Sequence, residues 1–394
     1  MVYTTKTNLK IAYFLAFCGE LFFPIAVWLF FYTRFLNFKQ IVLMTAVSSL
    51  LGLCLQVPTG ALADFIGRKT TIVISYFLWV ITMIATAYAR TFTVFMLIAA
   101  GNALVNALYY GSFEALVYDS LKENHEENQY SYVASRIEAI TWVGLFVGSI
   151  FGGFMFEIWF RLPFVAQSII ALTAAIMSLK LVEPKKESKK YQFKSFIAQN
   201  IQGFKELFQS FKISRLSLIF IVIGAGYNIA SSILGISQGR EYGLSPEIVG
   251  IIFAIGYLFS ATASHFYPKL KNIFGVKKLF IFSTAILLLS FLLAKFVGVF
   301  IGVILIIGRL ASSTTYNNTK SITLNNVISS DNRATTLSTV GLLVSLPYAI
   351  FGYFIGDFID KNSPNSFAFL LGIILIILLL LINFPLFFCK KTIC

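Results

Sequence analysis

The sequence predicts an all-α integral membrane protein with twelve transmembrane helices in two pseudo-symmetric six-helix halves. Three observations support this fold class: the composition, the recurrence of long apolar segments, and the side of the membrane on which the basic residues fall. Of the 394 residues, 58% are hydrophobic and 12% are charged, and the mean hydropathy is +0.82. Soluble domains carry about 25% charged residues, so the composition excludes a soluble fold.

Apolar segments with the length of a membrane-spanning helix, about 20 residues, recur from one end of the chain to the other. The first of them is too long for the apolar region of a signal peptide, and no small-residue cleavage pattern follows it. We therefore expect it to remain as the first span. The predicted spans are 9–33, 40–63, 70–89, 92–120, 133–158, 162–182, 215–238, 246–267, 279–297, 299–327, 334–357 and 366–388.

The net charge of +14 raises the alternative of a nucleic-acid partner, and the distribution of the basic residues argues against it. With both termini placed in the cytoplasm, most of the 31 Lys and Arg residues lie in cytoplasmic loops. Membrane proteins follow this positive-inside rule. We therefore expect a multi-pass protein of the plasma or inner membrane, in contact with the lipid bilayer and not with nucleic acid.

A polar stretch divides the chain in the middle. Residues 183–212 begin with a basic segment that contains Pro184. Apolar residues then recur at three-to-four spacing from Phe196 to Phe208, which predicts an amphipathic helix on the inner membrane surface. We interpret this stretch as a connection and not as a regulatory element. The predicted domains are an N-terminal half over 1–182, a cytoplasmic linker over 183–214 and a C-terminal half over 215–394.

The two halves resemble each other in sequence. When the loop after the second span is aligned with the loop after the eighth, Gly67 falls on Gly275. When the fourth span is aligned with the tenth, Asn102 falls on Arg309. Two similar halves with a site near the bilayer midplane are typical of secondary transporters.

The sequence GALADFIGRK (60–69) resembles the signature of the major facilitator superfamily, roughly G-x-L-A-D-R-x-G-R-K, between the second and third helices. Phe65 departs from it, since a basic residue is usual there. The stretches at 57–64, 114–121, 243–250 and 332–338 resemble a poorly characterised, drug-efflux-like bacterial branch. The resemblance implies the major facilitator fold and transport by alternating access. The matching residues are Gly60, Leu62, Ala63, Asp64, Gly67, Arg68 and Lys69.

The residues of this loop have physical roles that suit a turn at the membrane surface. Gly60 and Ala63 are small enough for close packing of the second helix against a neighbour. Gly67 permits a tight turn, and Arg68 and Lys69 suit the anionic inner surface. We predict a gating motif made of these residues together with Asp64.

Asp64 is the residue of this motif with the most specific expected role. In the superfamily its counterpart contacts the start of the eleventh helix, where a helix N-terminus favours a carboxylate. Here that start is near Arg333–Thr336. The resemblance therefore implies that Asp64 latches the two halves on the cytoplasmic side. The alternative is that Asp64 only caps and solubilises the loop.

The fifth span carries GLFVGSIFGG (144–153), which resembles the antiporter signature G-x-x-x-G-P-x-x-G-G of exporters in the superfamily. Ser149 replaces the Pro. Small residues at four-residue spacing bring helices into backbone contact, so helix packing alone is a sufficient explanation. The resemblance favours export. The motif residues are Gly144, Gly148, Gly152 and Gly153.

Charged side chains within the spans are the strongest candidates for function, because a charge in lipid costs at least about 2.5 kcal/mol on insertion scales. Glu20 lies in the first span, Glu114 in the fourth and Arg309 in the tenth. The resemblance implies that spans one, four, seven and ten line a central cavity. Arg309 needs an anionic partner, either Glu20 or a substrate group, and Glu20 is the predicted proton carrier, with Glu114 the alternative.

Uncharged polar residues on the same spans complete the predicted substrate and proton pathway. Each of them has helix–helix hydrogen bonding as its alternative role. Asp119 and Glu138 are interpreted as structural, near Arg136 at the inner rim. The predicted pathway residues besides the charged ones are Asn102, Asn106, Tyr109, Tyr227, Asn228, Tyr316 and Asn317.

The sequence predicts that the chain is not an enzyme. Its two histidines, His125 and His265, lack metal-ligand spacing, and no P-loop is present. We expect no cofactor and no metal, and a monomer whose partners are protons and a small-molecule substrate. Proton-coupled export of a small amphipathic compound is favoured. Proton-coupled uptake of a small metabolite and a non-transporting membrane receptor on the same fold are the alternatives.

Overall fold

The computed structural model describes residues 2–184, 205, 207–208, 211–326 and 333–383. Within these ranges the regular structure is entirely helical. Most of the predicted amphipathic helix of the linker lies outside the described residues. The α-helices are α1 (Val2–Glu20), α2 (Trp28–Tyr32), α3 (Phe38–Ile66), α4 (Arg68–Tyr88), α5 (Phe92–Lys122), α6 (Tyr130–Ile158), α7 (Leu162–Ser178), α8 (Phe211–Ile229), α9 (Gly235–Glu241), α10 (Pro246–Leu292), α11 (Val299–Asn325), α12 (Arg333–Lys361) and α13 (Pro364–Asn383).

The twelve predicted spans are confirmed. Ten helical segments of the described chain are long and apolar enough to cross a bilayer, and α7 is a shorter apolar helix. The 47-residue α10 contains non-helical backbone at Gly275, so it holds the eighth and ninth spans. The first span comprises α1 and α2, and the seventh comprises α8 and α9.

The first span is not a continuous α-helix. The α-helix ends at Glu20, a 3-10 turn follows over Phe23–Ala26, and α2 begins at Trp28. Pro24 explains the break, because a proline has no N–H to donate and its ring clashes with the carbonyl of the residue four positions earlier. That residue is Glu20. The proline therefore places a carboxylate at the end of a helix in the middle of a span.

The seventh span is interrupted as well, by different means. A π turn over Ala230–Leu234 separates α8 from α9. A π turn closes with an i→i+5 hydrogen bond and thus holds one more residue than an α turn. The apolar periodicity of this segment contains no sign of it, because all five residues are small or apolar enough for either geometry.

The chain forms two compact units. Unit 1 comprises Met1–Ser195 and Ser245–Ala254, and unit 2 comprises Phe196–Leu244 and Ile255–Cys394. In unit 1, α5 packs against α3 and α4, α4 against α7, and α1 against α6. In unit 2, α8 packs against α12 and α13. A buried cluster within unit 1 includes Leu15, Ile72, Tyr76, Leu116 and Leu121.

The two glycines that the sequence alignment pairs have the same unusual backbone conformation. Gly67 has φ +96° and ψ 151°, and Gly275 has φ +77° and ψ 155°. Both lie where one span turns into the next. Only glycine adopts this region without strain. The two halves are therefore similar at these turns in backbone conformation as well as in sequence.

Candidate functional site

A cavity of about 300 Å³ lies within unit 1, between α1, α4, α5 and α6. Three carboxylates line it: Glu20 from α1, Glu114 from α5 and Glu138 from α6. No Lys, Arg or His is among the described residues of its lining. Six aromatic residues contribute to its remaining walls, and these are Tyr76, Trp79, Tyr109, Tyr110, Phe113 and Tyr130.

The aromatic wall beside Glu20 is fixed by hydrogen bonds and ring contacts. The Tyr76 hydroxyl donates to the Leu15 carbonyl at 3.0 Å, across from α4 to α1. The Tyr109 ring lies edge-on to Tyr76 and stacks on Phe113, with centroid separations of 5.3 and 5.0 Å. These contacts hold the aromatic groups in place before any ligand enters.

The glycine motif of α6 packs directly against the broken first span. A methyl group at Gly144 would lie 2.9 Å from the Glu20 carbonyl carbon, and one at Gly148 would lie 2.9 Å from the Phe22 nitrogen. A methyl at Gly152 would overlap the Phe23 carbonyl oxygen. The three glycines thus follow the first span through its break.

The last glycine of the motif faces a different element. A methyl group at Gly153 would lie 2.7 Å from the Glu247 Cα, in the first turn of α10. The reciprocal contact is equally close, since a methyl at Gly250 would overlap the Ser149 carbonyl oxygen. The motif therefore has a backbone-packing role against two neighbours, which is the structural alternative that the sequence left open.

Four of the five pathway residues predicted in the N-terminal half line the cavity of unit 1. They are Glu20, Asn106, Tyr109 and Glu114. Asn102 is the exception, because the lining of α5 begins three residues later, at Val105, so its place in the pathway stays a prediction.

Glu138, interpreted from the sequence as structural, lines the same cavity. A carboxylate inside an apolar segment was the signal for Glu20 and Glu114, and the same signal was available for Glu138. It was overlooked because Arg136 stands two residues away in the sequence. In the structure the Arg136 guanidinium lies over the Tyr132 ring, 4.8 Å from its centroid.

The predicted tyrosines of unit 2 are used to join helices. The Tyr227 hydroxyl, on α8, donates to the Ser283 carbonyl at 2.7 Å and contacts the Ser312 hydroxyl at 2.9 Å. The Tyr316 hydroxyl donates to the Phe220 carbonyl at 2.5 Å. Both residues are almost fully buried. Their geometry matches the helix–helix role that was the alternative from the sequence.

The two predicted asparagines of unit 2 differ in exposure. Asn228 is half-buried on α8, one residue after Tyr227. Asn317 is exposed on α11, where its side-chain oxygen accepts a hydrogen bond from Lys320 Nζ at 3.1 Å. Their place in a substrate pathway stays a prediction, since the cavity described above is lined by residues of unit 1.

Arg309 is held by neutral groups within unit 2. It is 4% exposed, and its Nη2 donates to Gln238 Oε1 at 2.8 Å. Its guanidinium carbon lies 5.3 Å from the centroid of the Phe291 ring. Within unit 2 an amide and an aromatic ring hold this delocalised cation, and its anionic partner, Glu20 or a substrate group, stays a prediction.

The turn at Gly67 is stabilised by a residue that the sequence did not single out. The carboxylate of Glu183 accepts hydrogen bonds from the backbone N–H groups of Arg68 (2.7 Å) and Lys69 (2.8 Å). It thus caps the N-terminus of α4, where a helix favours a negative charge. A methyl group at Gly67 would lie 2.7 Å from that carboxylate, so only glycine leaves room for it.

The charged residues of the loop pair within unit 1. Arg68 forms a salt bridge with Asp119 and also donates to the Ala115 carbonyl, both on α5. The pair gives Asp119 a structural partner on another helix, and its expected proximity to Arg136 stays a prediction. Lys69 is half-exposed, and its backbone N–H donates a hydrogen bond to the Glu183 carboxylate.

Gly60 does not make the predicted close contact. A methyl group there would meet none of the described residues within 4 Å, because this turn of α3 is partly exposed. Asp64 lies half-buried in the last turn of α3. The side chains of residues 333–335 are outside the described part of the chain, so the latch to the eleventh span stays a prediction.

Comparison with known proteins gives one family. The model described as Major Facilitator Superfamily matches residues 9–236. The quinolone resistance protein NorA of Staphylococcus aureus (strain MSSA476) is 23% identical over 218 residues, 55% of this chain and 54% of NorA. YxaM of Bacillus subtilis (strain 168), an uncharacterized MFS-type transporter, is 25% identical over 250 residues, 60% and 59% of the two chains. The chain thus spans somewhat over half the length of these curated relatives.

Solved structures share the fold over nearly the whole chain. A point mutant of the nucleoside transporter NupG superposes with a TM-score of 0.81 at 15% identity, covering 96% of this chain and 98% of NupG. A bacterial homologue of the human lysosomal transporter Spinster, inward-facing and occupied, has a TM-score of 0.66 at 18% identity, covering 100% and 97%. At these identities the similarity is one of fold.

Proposed function

Because this chain belongs to the major facilitator superfamily, we propose that it is a proton-coupled exporter of small amphipathic compounds, with a preference for those that carry positive charge. The observation that carries the proposal is the cavity of unit 1, which three carboxylates and six aromatic side chains line without a basic residue among those described. The sequence similarity to a quinolone resistance protein supports export.

The lining of the cavity favours a cation for two physical reasons. A positive charge about 4 Å from one carboxylate gains roughly 4 kcal/mol at an effective dielectric constant near 20. An aromatic face adds about 0.5–2 kcal/mol by cation–π attraction. The volume of about 300 Å³ is at the lower end of the range for small-molecule sites. A compact aromatic cation meets all these requirements.

The three carboxylates have separable roles in this proposal. Glu20 carries the proton, since it lies at the helix break, where the backbone changes direction. Glu114 and Glu138 attract the substrate from the two facing helices. The positive-inside distribution of Lys and Arg supports an orientation with both termini in the cytoplasm, so export moves the substrate away from the side of the Gly67 loop.

Inverted membrane vesicles that contain the full chain provide the test. With an inward-acidic pH gradient, they should accumulate ethidium, a permanent aromatic cation, and should not accumulate the anion 8-anilinonaphthalene-1-sulfonate. Glu114→Gln and Glu138→Gln should each weaken ethidium accumulation several-fold. Glu127→Gln is the matched control, since this exposed residue lies outside the cavity. Equal transport of both dyes, or ethidium accumulation that survives collapse of the gradient, contradicts the proposal.

Proton-coupled uptake of a small metabolite is the second candidate. The observation that favours it is the structural similarity to the nucleoside transporter NupG, which at 15% identity concerns the fold and not the direction. Uridine accumulation in right-side-out vesicles with an outward-acidic gradient, without ethidium transport in inverted ones, would favour this candidate over export.

A further inference from the structure

The π turn of the seventh span changes which residues of α9 face the protein interior. One extra residue in the turn rotates everything that follows by about 100°, because an α-helix has 3.6 residues per turn. After the turn, Gln238 is 2% exposed and points to Arg309 on α11. The π turn therefore orients Gln238 towards Arg309.

The amide of Gln238 is engaged at both ends. Its oxygen accepts from Arg309 Nη2 at 2.8 Å, and its nitrogen donates to the side-chain oxygen of Asn365 at 3.0 Å. If the amide were flipped, its NH2 group would face the N–H groups of Arg309, and its oxygen would face the side-chain oxygen of Asn365. Neither contact would be a hydrogen bond. The pair of bonds therefore fixes the orientation of the amide.

Asn365 is itself held by Glu241, the last residue of α9. Its backbone N–H, in the first turn of α13, donates to the carboxylate of Glu241 at 2.7 Å. Asn365 is 6% exposed. A continuous chain of hydrogen bonds thus runs from Glu241 through Asn365 and Gln238 to Arg309, and it ties α9, α13 and α11 together.

This chain leaves one donor of Arg309 unused. Its Nη1 is buried and has no hydrogen-bond partner among the described residues. Leaving a buried donor unsatisfied costs about 1–3 kcal/mol, and more for a charged group. The nearby hydroxyls of Tyr227 and Ser312 bond to each other and to the carbonyls of Ser283 and Arg309, and neither forms a hydrogen bond with Nη1. Within the described part of the chain, the guanidinium is held on one side and unpartnered on the other.

We propose that Gln238 is a positioning residue that holds Arg309 so that Nη1 takes an acceptor oxygen of the substrate, a carboxylate or carbonyl. Arg309 contacts the substrate, and Gln238 acts only through Arg309. The proposal rests on the proposed function and deepens it, since it adds an acceptor group to the amphipathic cation that is transported. Because Gln238 holds Nη2 in place, the position of Nη1 is fixed. The guanidinium therefore selects for the position of the substrate oxygen as well as for its charge.

The test uses the purified full chain and two matched probes. Norfloxacin carries an amine and a carboxylate on an aromatic ring, and its decarboxylated analogue lacks the acceptor. The parent should bind norfloxacin at least tenfold more tightly than the analogue. Gln238→Leu should lose most of that difference, while its affinity for the analogue changes less than twofold. Gln238→Glu should do the same, since a carboxylate beside Arg309 competes with the substrate.

Two further variants control for a structural effect. Ser237→Ala should bind like the parent, because this buried hydroxyl bonds to the carbonyls of Ile233 and Leu234 in its own span. Asn365→Ala releases the Gln238 amide without touching Arg309, and it should give an intermediate loss for norfloxacin alone. If Gln238→Leu does not accumulate in the membrane, the binding of the two probes to Asn365→Ala tests the proposal instead.

The outcomes separate this inference from the proposed function. Parent-like binding of norfloxacin by Gln238→Leu, or an equal loss of both probes, overturns the positioning role. A parent that transports ethidium but does not distinguish the two probes overturns it too, with the proposed function intact. A parent that transports none of the three compounds overturns the proposed function and this inference with it.

Discussion

Two charges within the predicted spans dominate the chemistry at the scale of the residue, and their surroundings differ in kind. Glu20 ends α1 four residues before Pro24 and lines a cavity that contains two more carboxylates. Arg309 sits in a buried environment where a neutral amide and an aromatic ring hold it. The first arrangement suits a group that exchanges protons, and the second suits a fixed cation that recognises a ligand.

The substitution Glu20→Gln should separate substrate binding from proton coupling. The amide keeps the size and hydrogen-bonding capacity of a protonated carboxyl but cannot release a proton. We expect the variant to bind ethidium and to exchange it without an energy source, yet to lose gradient-driven accumulation in inverted vesicles. Glu127→Gln serves as the control. If Glu20→Gln still concentrates ethidium in response to an imposed pH gradient, Glu20 is not the coupling residue.

Arg309→Lys should lose most norfloxacin transport, about tenfold or more. An ammonium group has no planar fork, so it cannot keep the bond to Gln238, lie over Phe291 and present a second donor at once. Initial rates in vesicles at matched protein levels measure the effect. Norfloxacin transport at the parental rate by Arg309→Gln would show that the residue is purely structural.

Close backbone packing and helix breaks define the site at the scale of the element. The glycines of α6 fit the backbone of the first span on both sides of its break. At the break the Phe23 N–H donates to the side-chain oxygen of Gln167 at 3.0 Å, and the glycines pack on the backbone of Phe22 and Phe23. The protein thus satisfies or covers these backbone groups, as a bilayer requires. The motif and the break are therefore parts of one arrangement, and this explains why small residues continue through all three turns.

Gly152→Ala should destabilise the protein, because the added methyl overlaps the Phe23 carbonyl oxygen. Overpacking of this kind typically costs about 1–3 kcal/mol, which should lower the Tm of the purified protein by several degrees. Gly111→Ala is the matched control within a helix, since a methyl there meets nothing within 4 Å. It should leave the Tm unchanged or raise it slightly. Equal Tm values for the two variants would refute the packing role.

At the scale of the whole chain, its two units carry corresponding irregularities. The first and the seventh span are both broken, one at a proline and the other in a π turn. Interrupted spans at corresponding positions of two repeats mark the substrate site in many transporters. The turns at Gly67 and Gly275 repeat the same backbone conformation. The two halves thus depart from regular helix at corresponding positions.

Asp64→Asn tests the predicted latch between the two halves. If the carboxylate steadies one state through the start of the eleventh span, the variant should reach the membrane at the parental level but transport ethidium several-fold more slowly. The amide keeps the size of the side chain and removes the charge that a helix N-terminus favours. Undiminished transport would reduce Asp64 to a capping residue of the loop.

The class of the molecule could be predicted without coordinates. Long apolar segments, asymmetric basic loops and the GALADFIGRK stretch are local or additive properties, so the twelve spans and the family follow from them directly. Carboxylates within apolar segments are equally visible, because each is costly in lipid wherever its neighbours lie. Glu20 and Glu114 were found in this way.

The grouping of polar residues into one site required the three-dimensional arrangement of the helices. Glu138 joins the cavity, Asn102 does not, and Tyr227 and Tyr316 use their hydroxyls to bond neighbouring helices. Gln238 and Glu183 gain their roles from partners about 70 and 115 residues away. Such pairings depend on the rotation of each helix about its axis, which a proline break or a π turn shifts by large angles. Periodicity along a single segment does not contain that information.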